Sequence, residues 1–311
     1  MTSKSNHRSL VKPPALRVGD TVALIRPSTR LDEKLFSQAV ATVRRSGLCV
    51  AVYPGKFQRD TYFSASEKSR SEEFDWAFLE PGIKAVLACR GGYGAERMLA
   101  EISPTRWKKY HPRIFVGYSD CTFLHQWIQN ELGWVSYHGP LIGFLRPQST
   151  KKFLKSLFEL PSIPSKESWK EITNIGAASA ARGRLVGGNL SMLRVLGKAA
   201  LPRTPMILLI EEVNENFYRI DRMLWTLIDA GYSKFVKGII FGTLEGCGKS
   251  DRKTFGLKRV HQTLQRLTRG PIWMNARVGH GLSFQRIVPL GCEVRMRGKT
   301  LEILEGMVSE S

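Results

Sequence analysis

The chain has 311 residues, 42% of them apolar, with 47 basic against 27 acidic side chains and a formal net charge of +20. That length and apolar content suit one large or two medium globular domains, and without a long apolar run or an apolar h-region in the polar, basic opening segment, neither a membrane span nor a secretory leader is expected. The charge favours anionic ligands, but the cations fall in doublets such as Lys108-Lys109, Lys151-Lys152 and Arg252-Lys253 with no nucleic-acid motif, so the reading is a generally basic surface and no specific nucleic-acid partner.

In chain order, "DTVALIRPS" (20–28) is an apolar run ending in turn residues, which predicts a buried strand. "DEKLFSQAVATVRRSG" follows with helical spacing of Leu35, Phe36, Ala39 and Val43 and a glycine stop at Gly47. "LCVAVYP" is a second strand, and "SASEKSRSEEFDWAFLEPG" a helix in which Ser64 and Glu67 have capping-box spacing. "IKAVLACRGG", "PRIFVGYS" and "WVSYHGP" are further strands, separated by the helical "GAERMLAEI" and "DCTFLHQWIQNELG". Alternation at this pitch implies a parallel sheet with helices on both faces, an α/β domain over residues 1–150.

The segment 151–180 carries prolines, serines and small residues with little period, apart from a possible helix in "STKKFLKSLFEL", and reads as a linker. The remainder, 181–311, opens on "GRLVGGNLSMLRVLG". Then come a strand "PMILLIEEV", an amphipathic helix "NFYRIDRMLWTLIDAG", a strand "KGIIFGTLEG", a basic helix "GLKRVHQTLQRLTRG", and "PIWMNARVGHG" as strand and loop. The tail reads as short strands with turns at Leu290-Gly291 and Gly298-Lys299.

Several residues could carry chemistry. Ser119 sits where a strand turns at once into a helix, at the sheet edge where open α/β folds place their sites. The Asp120 amide would lie at a helix N-terminus, suited to holding an oxyanion. A serine there could equally be a helix cap, and GxSxG is not matched because position 121 is cysteine. "CRGGYG" (89–94) also ends a strand and opens a helix; adjacent glycines allow close backbone approach, although the stretch is neither GxGxxG nor a P-loop. Of six histidines, His7, His111, His125 and His261 lie in the tail, before a strand, or within helices, whereas His138 and His280 sit at strand ends and lead as candidate bases. In "LLIEEVNEN", Glu211 follows a strongly apolar strand and needs a partner if buried, for which a histidine is suited; Glu212 fits a solvated turn better. The five cysteines are scattered and not in CxxC pairs, so reduced thiols in a cytoplasmic compartment are expected, with no disulfide framework, metal site or cofactor.

Together and in order, "RPS", "CRGGYGAERML", "FVGYSDCTFLH", "SYHGP", "GRLVGGNLSML", "LLIEEVNENFYRIDRML" and "GIIFGTLEG" followed by "VGHG" resemble the LD-carboxypeptidase family of serine peptidases, over almost the whole chain. The resemblance implies a flavodoxin-like N-terminal sheet and a smaller, mostly β C-terminal domain with packed helices, with the site between them. It implies a Ser-Glu-His triad carried by Ser119, Glu211 and His280, and an oxyanion hole formed by the amides of Asp120 and Gly92. Arg90, Gly91, Tyr93, His138 and Asn189 are substrate-binding candidates, Arg90 as the cation for a terminal carboxylate. A small muropeptide losing terminal D-alanine is the implied substrate, and a homodimer the implied assembly. Arg26 stands where the family usually has alanine, Glu212 where aspartate is commoner, and Asn216-Phe217 where a proline-containing pair is usual. Two other functions remain open: a microcin C immunity-type peptidase acting on aminoacyl or peptidyl nucleotides, and a non-catalytic basic binding protein on the same scaffold.

Overall fold

The computed structural model describes residues 9–55, 60–107, 109–197, 201–281 and 285–309; His7 and Lys108 lie outside them. The first half alternates as read: β1 (Thr21–Ile25), α1 (Glu33–Arg44), β2 (Cys49–Ala51), α2 (Glu67–Leu79), β3 (Ile83–Ala88), α3 (Ala95–Leu99), β4 (Ile114–Gly117), α4 (Thr122–Trp127) and β5 (Ser136–His138). Asp32 caps α1 by accepting from the Lys34 and Leu35 amides, and the helix buries Phe36, Ala39 and Val43, the stripe that the spacing predicts. The cap of α2 differs from expectation. Ser66, not Ser64, accepts from the Ser69 amide, because the Ser64 hydroxyl is drawn away to donate to the Arg26 carbonyl.

The chain continues with α5 (Pro147–Phe158), β6 (Ser165–Ser168), β7 (Thr173–Asn174), β8 (Ala180–Asn189), α6 (Leu190–Leu196), β9 (Met206–Val213), α7 (Phe217–Asp229), β10 (Val236–Glu245), α8 (Leu257–Leu267), β11 (Ile272–Met274), β12 (Val288–Leu290), β13 (Glu293–Arg297) and β14 (Thr300–Ile303). The linker reading of 151–180 needs correction. This stretch contains most of α5, and its two short strands close the opposite edges of the second sheet, β6 on β14 and β7 on β11.

The first sheet runs β12-β5-β4-β3-β1-β2, parallel from β2 to β5, which is the flavodoxin-like order with its switch point between β1 and β3. Its outer strand β12 is antiparallel and comes from the C-terminal part of the chain, pairing Val288 with His138. The second sheet runs β6-β14-β13-β8-β9-β10-β11-β7, with β8 to β11 parallel. One core joins the two sheets, from Leu24, Leu87 and Val116 to Leu185, Leu209 and Trp273. A second core lies under α6, α7 and α8, and a third packs α2, α3 and α4 on the far face of the first sheet. Each large apolar side chain so buried contributes about 1.5–3 kcal/mol relative to exposure. The shared middle core and the exchanged strand β12 therefore fix one half of the molecule against the other.

Two charged groups are buried inside this framework on α2. Arg70, on α2, is fully buried and donates to the carbonyls of Pro27 (2.6 Å), Gly94 (2.7 Å) and Ala65 (3.0 Å). It ties the loop after β1 to the glycine turn after β3. Arg70→Met leaves three carbonyls without that donor and is expected to cost about 2–4 kcal/mol of stability, measured by urea unfolding.

Glu73, one turn further, is also buried and takes the backbone amide of Arg26 at 2.7 Å and its guanidinium at 3.2 and 3.3 Å. The uncommon Arg26 is thus the counter-ion of a buried acid. Burial raises the Glu73 carboxyl from 4.5 to about 7, against the pull of Arg26. The folded state then binds more protons than the unfolded chain across that window. The stability Glu73 contributes is complete below about 4.5 and declines as pH rises toward 7. Glu73→Gln is expected to flatten the fall in unfolding free energy between those pH values in a urea titration series.

Candidate active site

At the C-terminal end of β4 the backbone makes a sharp corner. Tyr118 is extended (φ −153°, ψ −173°), Ser119 is left-handed (φ 61°), and a 3₁₀ turn over Ser119–Cys121 leads into α4. A non-glycine residue in that region costs about 1–2 kcal/mol and persists only where the surroundings enforce it. Ser119 does not act as a cap, for neither the 3₁₀ turn nor α4 has a side-chain cap bond. The first bond of the turn runs from the Cys121 amide to the Tyr118 carbonyl, so the Asp120 amide precedes it and has no carbonyl of its own turn to satisfy it. The Asp120 side chain points elsewhere. It is fully buried and accepts from the Ala95 amide at 2.9 Å, tying the start of α3 to this corner. Burial raises its carboxyl above the ordinary value, opposed by Ser28, the Ala95 amide and Arg70.

The glycine turn lies against this corner. A Cβ on Gly91 would stand 3.1 Å from Ser119 Cβ, 3.3 Å from its Oγ and 3.4 Å from the Asp120 amide nitrogen. Thr29, in the loop after β1, holds the turn: its amide donates to the Gly91 carbonyl and its hydroxyl accepts from the Tyr93 amide. The carbonyl and N–H of a trans peptide point in opposite directions. With the Gly91 carbonyl on Thr29, the Gly92 N–H faces away from Thr29.

The second domain supplies an acid and a base. Glu211, at the end of β9, is fully buried, and its Oε2 lies 2.7 Å from His280 Nδ1. Burial works to raise its carboxyl, but His280, His138 and Asn189 outweigh that and hold it below the ordinary value. Asn189 donates to Oε1 of both Glu211 and Glu212, at 3.1 Å each, while its own Oδ1 accepts from Met192 N at the start of α6. The Gly187-Gly188 pair before it passes so close to α4 that a Cβ on Gly188 would meet Thr122 Oγ1 at 2.5 Å. That same hydroxyl takes the Asn189 amide at 2.9 Å. The "GGN" run thus seats the carboxylate pair against the serine corner. Tyr118 completes the junction, with its ring edge-on to the His280 imidazole at 4.6 Å.

Two of the substrate-binding expectations are corrected. Asn189 is 3% exposed with its side-chain amide already engaged, so it orients Glu211 instead of facing a ligand. His138 is fully buried on β5, its ring 5.8 Å from that of Tyr118, and burial pushes it down to about 4. A neutral, enclosed imidazole there contributes packing behind Tyr118. Arg90 donates to the Arg30 carbonyl and lies over Phe144, while Tyr93 is exposed and packs on Phe63. Sequence reasoning missed Tyr118, Thr29, Thr122 and Arg70. The Tyr-Ser pair could have flagged Tyr118; no signal marked the others. His125 is also buried, bonded through both nitrogens to Ser136 and the Gly117 carbonyl, and is pushed down to about 3.

A half-buried serine in a strained strand–helix corner, preceded by a tyrosine whose ring meets a carboxylate-anchored imidazole of the second domain, fits a two-domain α/β hydrolase of the serine type. The chain belongs to the LD-carboxypeptidase family: residues 22–139 match the model of the LD-carboxypeptidase N-terminal domain and 182–296 that of its C-terminal domain. It is 32% identical over 309 residues to the probable murein peptide carboxypeptidase of Bacillus subtilis, covering 96% of each chain. It is 25% identical over 313 residues to the murein tetrapeptide carboxypeptidase of Pseudomonas aeruginosa, covering 97% of this chain and 99% of that one. Among solved structures, MccF in complex with glutamyl sulfamoyl guanosine superposes with a TM-score of 0.84 at 22% identity, over 96% of this chain and all of that one, and so shares the fold. Among the described residues, no helix is long and apolar enough to cross a membrane.

Proposed function

We propose that Ser119, Glu211 and His280 form a catalytic triad that releases the terminal D-alanine of a murein tetrapeptide by cleaving its L,D-peptide bond. The observation that carries this is the 2.7 Å bond between the buried Glu211 and His280 Nδ1, made beside the Ser119 corner. With Nδ1 engaged by the carboxylate, Nε2 is the nitrogen free to take the Ser119 proton. The serine oxygen attacks the carbonyl of the diamino acid's L-centre. The tetrahedral oxyanion is received by the amides of Asp120 and Gly92, whose orientation away from Thr29 supports that role. His280 then gives its proton to the leaving D-alanine nitrogen, and water, deprotonated by the same imidazole, hydrolyses the acyl-enzyme.

Mass spectrometry of a muropeptide tetrapeptide incubated with the protein tests this, and the expected product is the tripeptide with one alanine lost. An unchanged tetrapeptide would overturn the reading. The likeness to MccF supports a second substrate class, and an aminoacyl sulfamoyl nucleotide offered in the same assay distinguishes the two. Binding of nucleic acid without any hydrolysis would favour a basic binding protein. Gly91→Ala brings a methyl group against Ser119 Oγ and the Asp120 amide. It is expected to lower kcat by about 10²- to 10³-fold, the usual effect of losing one oxyanion contact, in a continuous assay of alanine release.

Five free cysteines, four of them buried, together with the family resemblance, support a cytoplasmic enzyme. The resemblance also supports a homodimer, which light scattering of the purified protein tests.

A further inference from the structure

A cavity of about 570 Å³ lies at the N-terminal edge of the first sheet, between the turns that open β3 and β4. Those two strands end, at the other edge, in the glycine turn and in Ser119. From Arg113 to Ser119 an extended chain spans roughly 20 Å, so the cavity is separate from the catalytic corner. Its far wall comes from distant parts of the chain. The Val11 amide donates to the Gly133 carbonyl and the Ser309 amide to the Pro13 carbonyl, both at 2.8 Å. Prolines 14, 81 and 112 also line it, and their fixed φ makes these walls rigid before any ligand arrives.

The charge inside is of one sign. Lys12, Lys84, Lys109 and Arg113 line the cavity, and no acidic side chain among the described residues does. Lys12 is matched by Glu305 at 2.6 Å. The Arg113 guanidinium is held by the carbonyls of Phe78, Glu80 and Ile83 at the end of α2, which fix it in place without neutralising it. Among the described residues, Lys84 has no hydrogen bond or ion pair, and Lys109 makes only a cation–π contact with Tyr110, 5.6 Å from the ring centre. Lysines scattered over a convex surface are each neutralised by water and salt. Cations gathered in a concave, partly apolar site focus their field on whatever enters it.

The muropeptide reaction makes no use of this cavity. We propose that it is a binding site for a small polyphosphate, either inorganic or carried by an organic group. Several negative charges on one short chain match Lys84, Lys109 and Arg113, and ammonium groups bind phosphate oxygens through charge-assisted hydrogen bonds. The assignment is independent of the catalytic reading, and neither falls with the other.

Isothermal titration of the full chain with inorganic triphosphate tests it. A single equivalent is expected to bind, and the double variant Lys84→Ala, Lys109→Ala is expected to raise Kd at least about tenfold. Both side chains are exposed, and an unchanged melting curve confirms that the variant folds. Lys151→Ala, Lys152→Ala removes the same charge from the exposed face of α5 and is expected to change Kd by no more than about twofold. Lys109→Glu gives a second reading and is expected to weaken binding in the same direction. No binding by the parent protein, equal weakening in the two double variants, or an unchanged affinity in Lys109→Glu would overturn the proposal. ATP in place of triphosphate separates the two sources. Tighter binding, lost in the Lys84→Ala, Lys109→Ala variant, assigns the apolar wall to an organic group; binding no tighter than that of triphosphate leaves the phosphate chain as the whole ligand.

Discussion

Ser119→Ala is expected to lower kcat for alanine release by about 10⁴- to 10⁶-fold, the range over which removing a serine nucleophile leaves only the contribution of the oxyanion site and binding. The backbone makes this test unusually clean. Ser119 is held at φ 61°, and alanine, which also carries a Cβ, suffers the same steric cost there. The unfolding midpoint of Ser119→Ala is therefore expected to match that of the parent. Ser119→Gly separates the two properties further. It removes the nucleophile and relieves the corner, so it is expected to be equally inactive yet more stable by about 1 kcal/mol. Activity followed by mass spectrometry and stability followed by urea unfolding give the two readouts. A Ser119→Gly variant that keeps turnover would remove Ser119 from the chemistry altogether.

Glu211→Gln carries the second large effect, about 10³- to 10⁴-fold in kcat. The substitution preserves shape, and the Asn189 contact can be rebuilt by rotating an amide. It removes the charge that favours imidazolium formation and the acceptor that fixes Nδ1–H. Stability also changes in a pH-dependent way. The folded carboxyl is held below its ordinary value of 4.5, so its contribution is complete above 4.5 and is lost as pH falls through the folded value. Glu211→Gln is expected to abolish that acid-side loss, the opposite side of the pH scale from the effect of Glu73→Gln. Unfolding free energies of the two variants, measured from acid to neutral pH, separate the buried carboxyl that its partners push down from the one that burial pushes up.

How far the sequence reveals this arrangement depends on how local each signal is. The β/α alternation of the first domain was legible because each strand is a short apolar run bounded by turn residues, as in "TVALI" and "IKAVLA". Glu211 was legible because a carboxylate after "MILLI" demands a partner, and the partner found is the glycine-flanked histidine. Edge strands were not: β6 is "SKES", polar and partly exposed, and β7 is "TN", polar and exposed, without the apolar alternation that marks a strand. The strand β12 was legible as a short strand before the Leu290-Gly291 turn, but its partner was not: "VPL" pairs with β5 some 150 positions earlier in the chain, a distance no window can see, and its proline suits an edge position. His138 and Asn189 show the same limit from another side. Both lie where ligands gather, but burial decided their roles, and burial is a property of the assembled sheets. Arg70 and Glu73 sit in "EKSRSEEF", a charged helical stretch whose inward-facing charges look no different from its outward ones.

The exchanged strand β12 also sets a timetable for synthesis. As the chain leaves the ribosome, residues 21–138 can form five parallel strands, but the outer edge of β5 stays open until residues 288–290 have emerged. At ordinary elongation rates of about 5–20 residues per second, some 150 further residues keep that edge exposed for roughly 8–30 seconds. An unpaired edge next to the nascent nucleophile corner invites pairing with another chain. The newborn first domain therefore passes through a period of aggregation risk that ends only when nearly the whole polypeptide has been made.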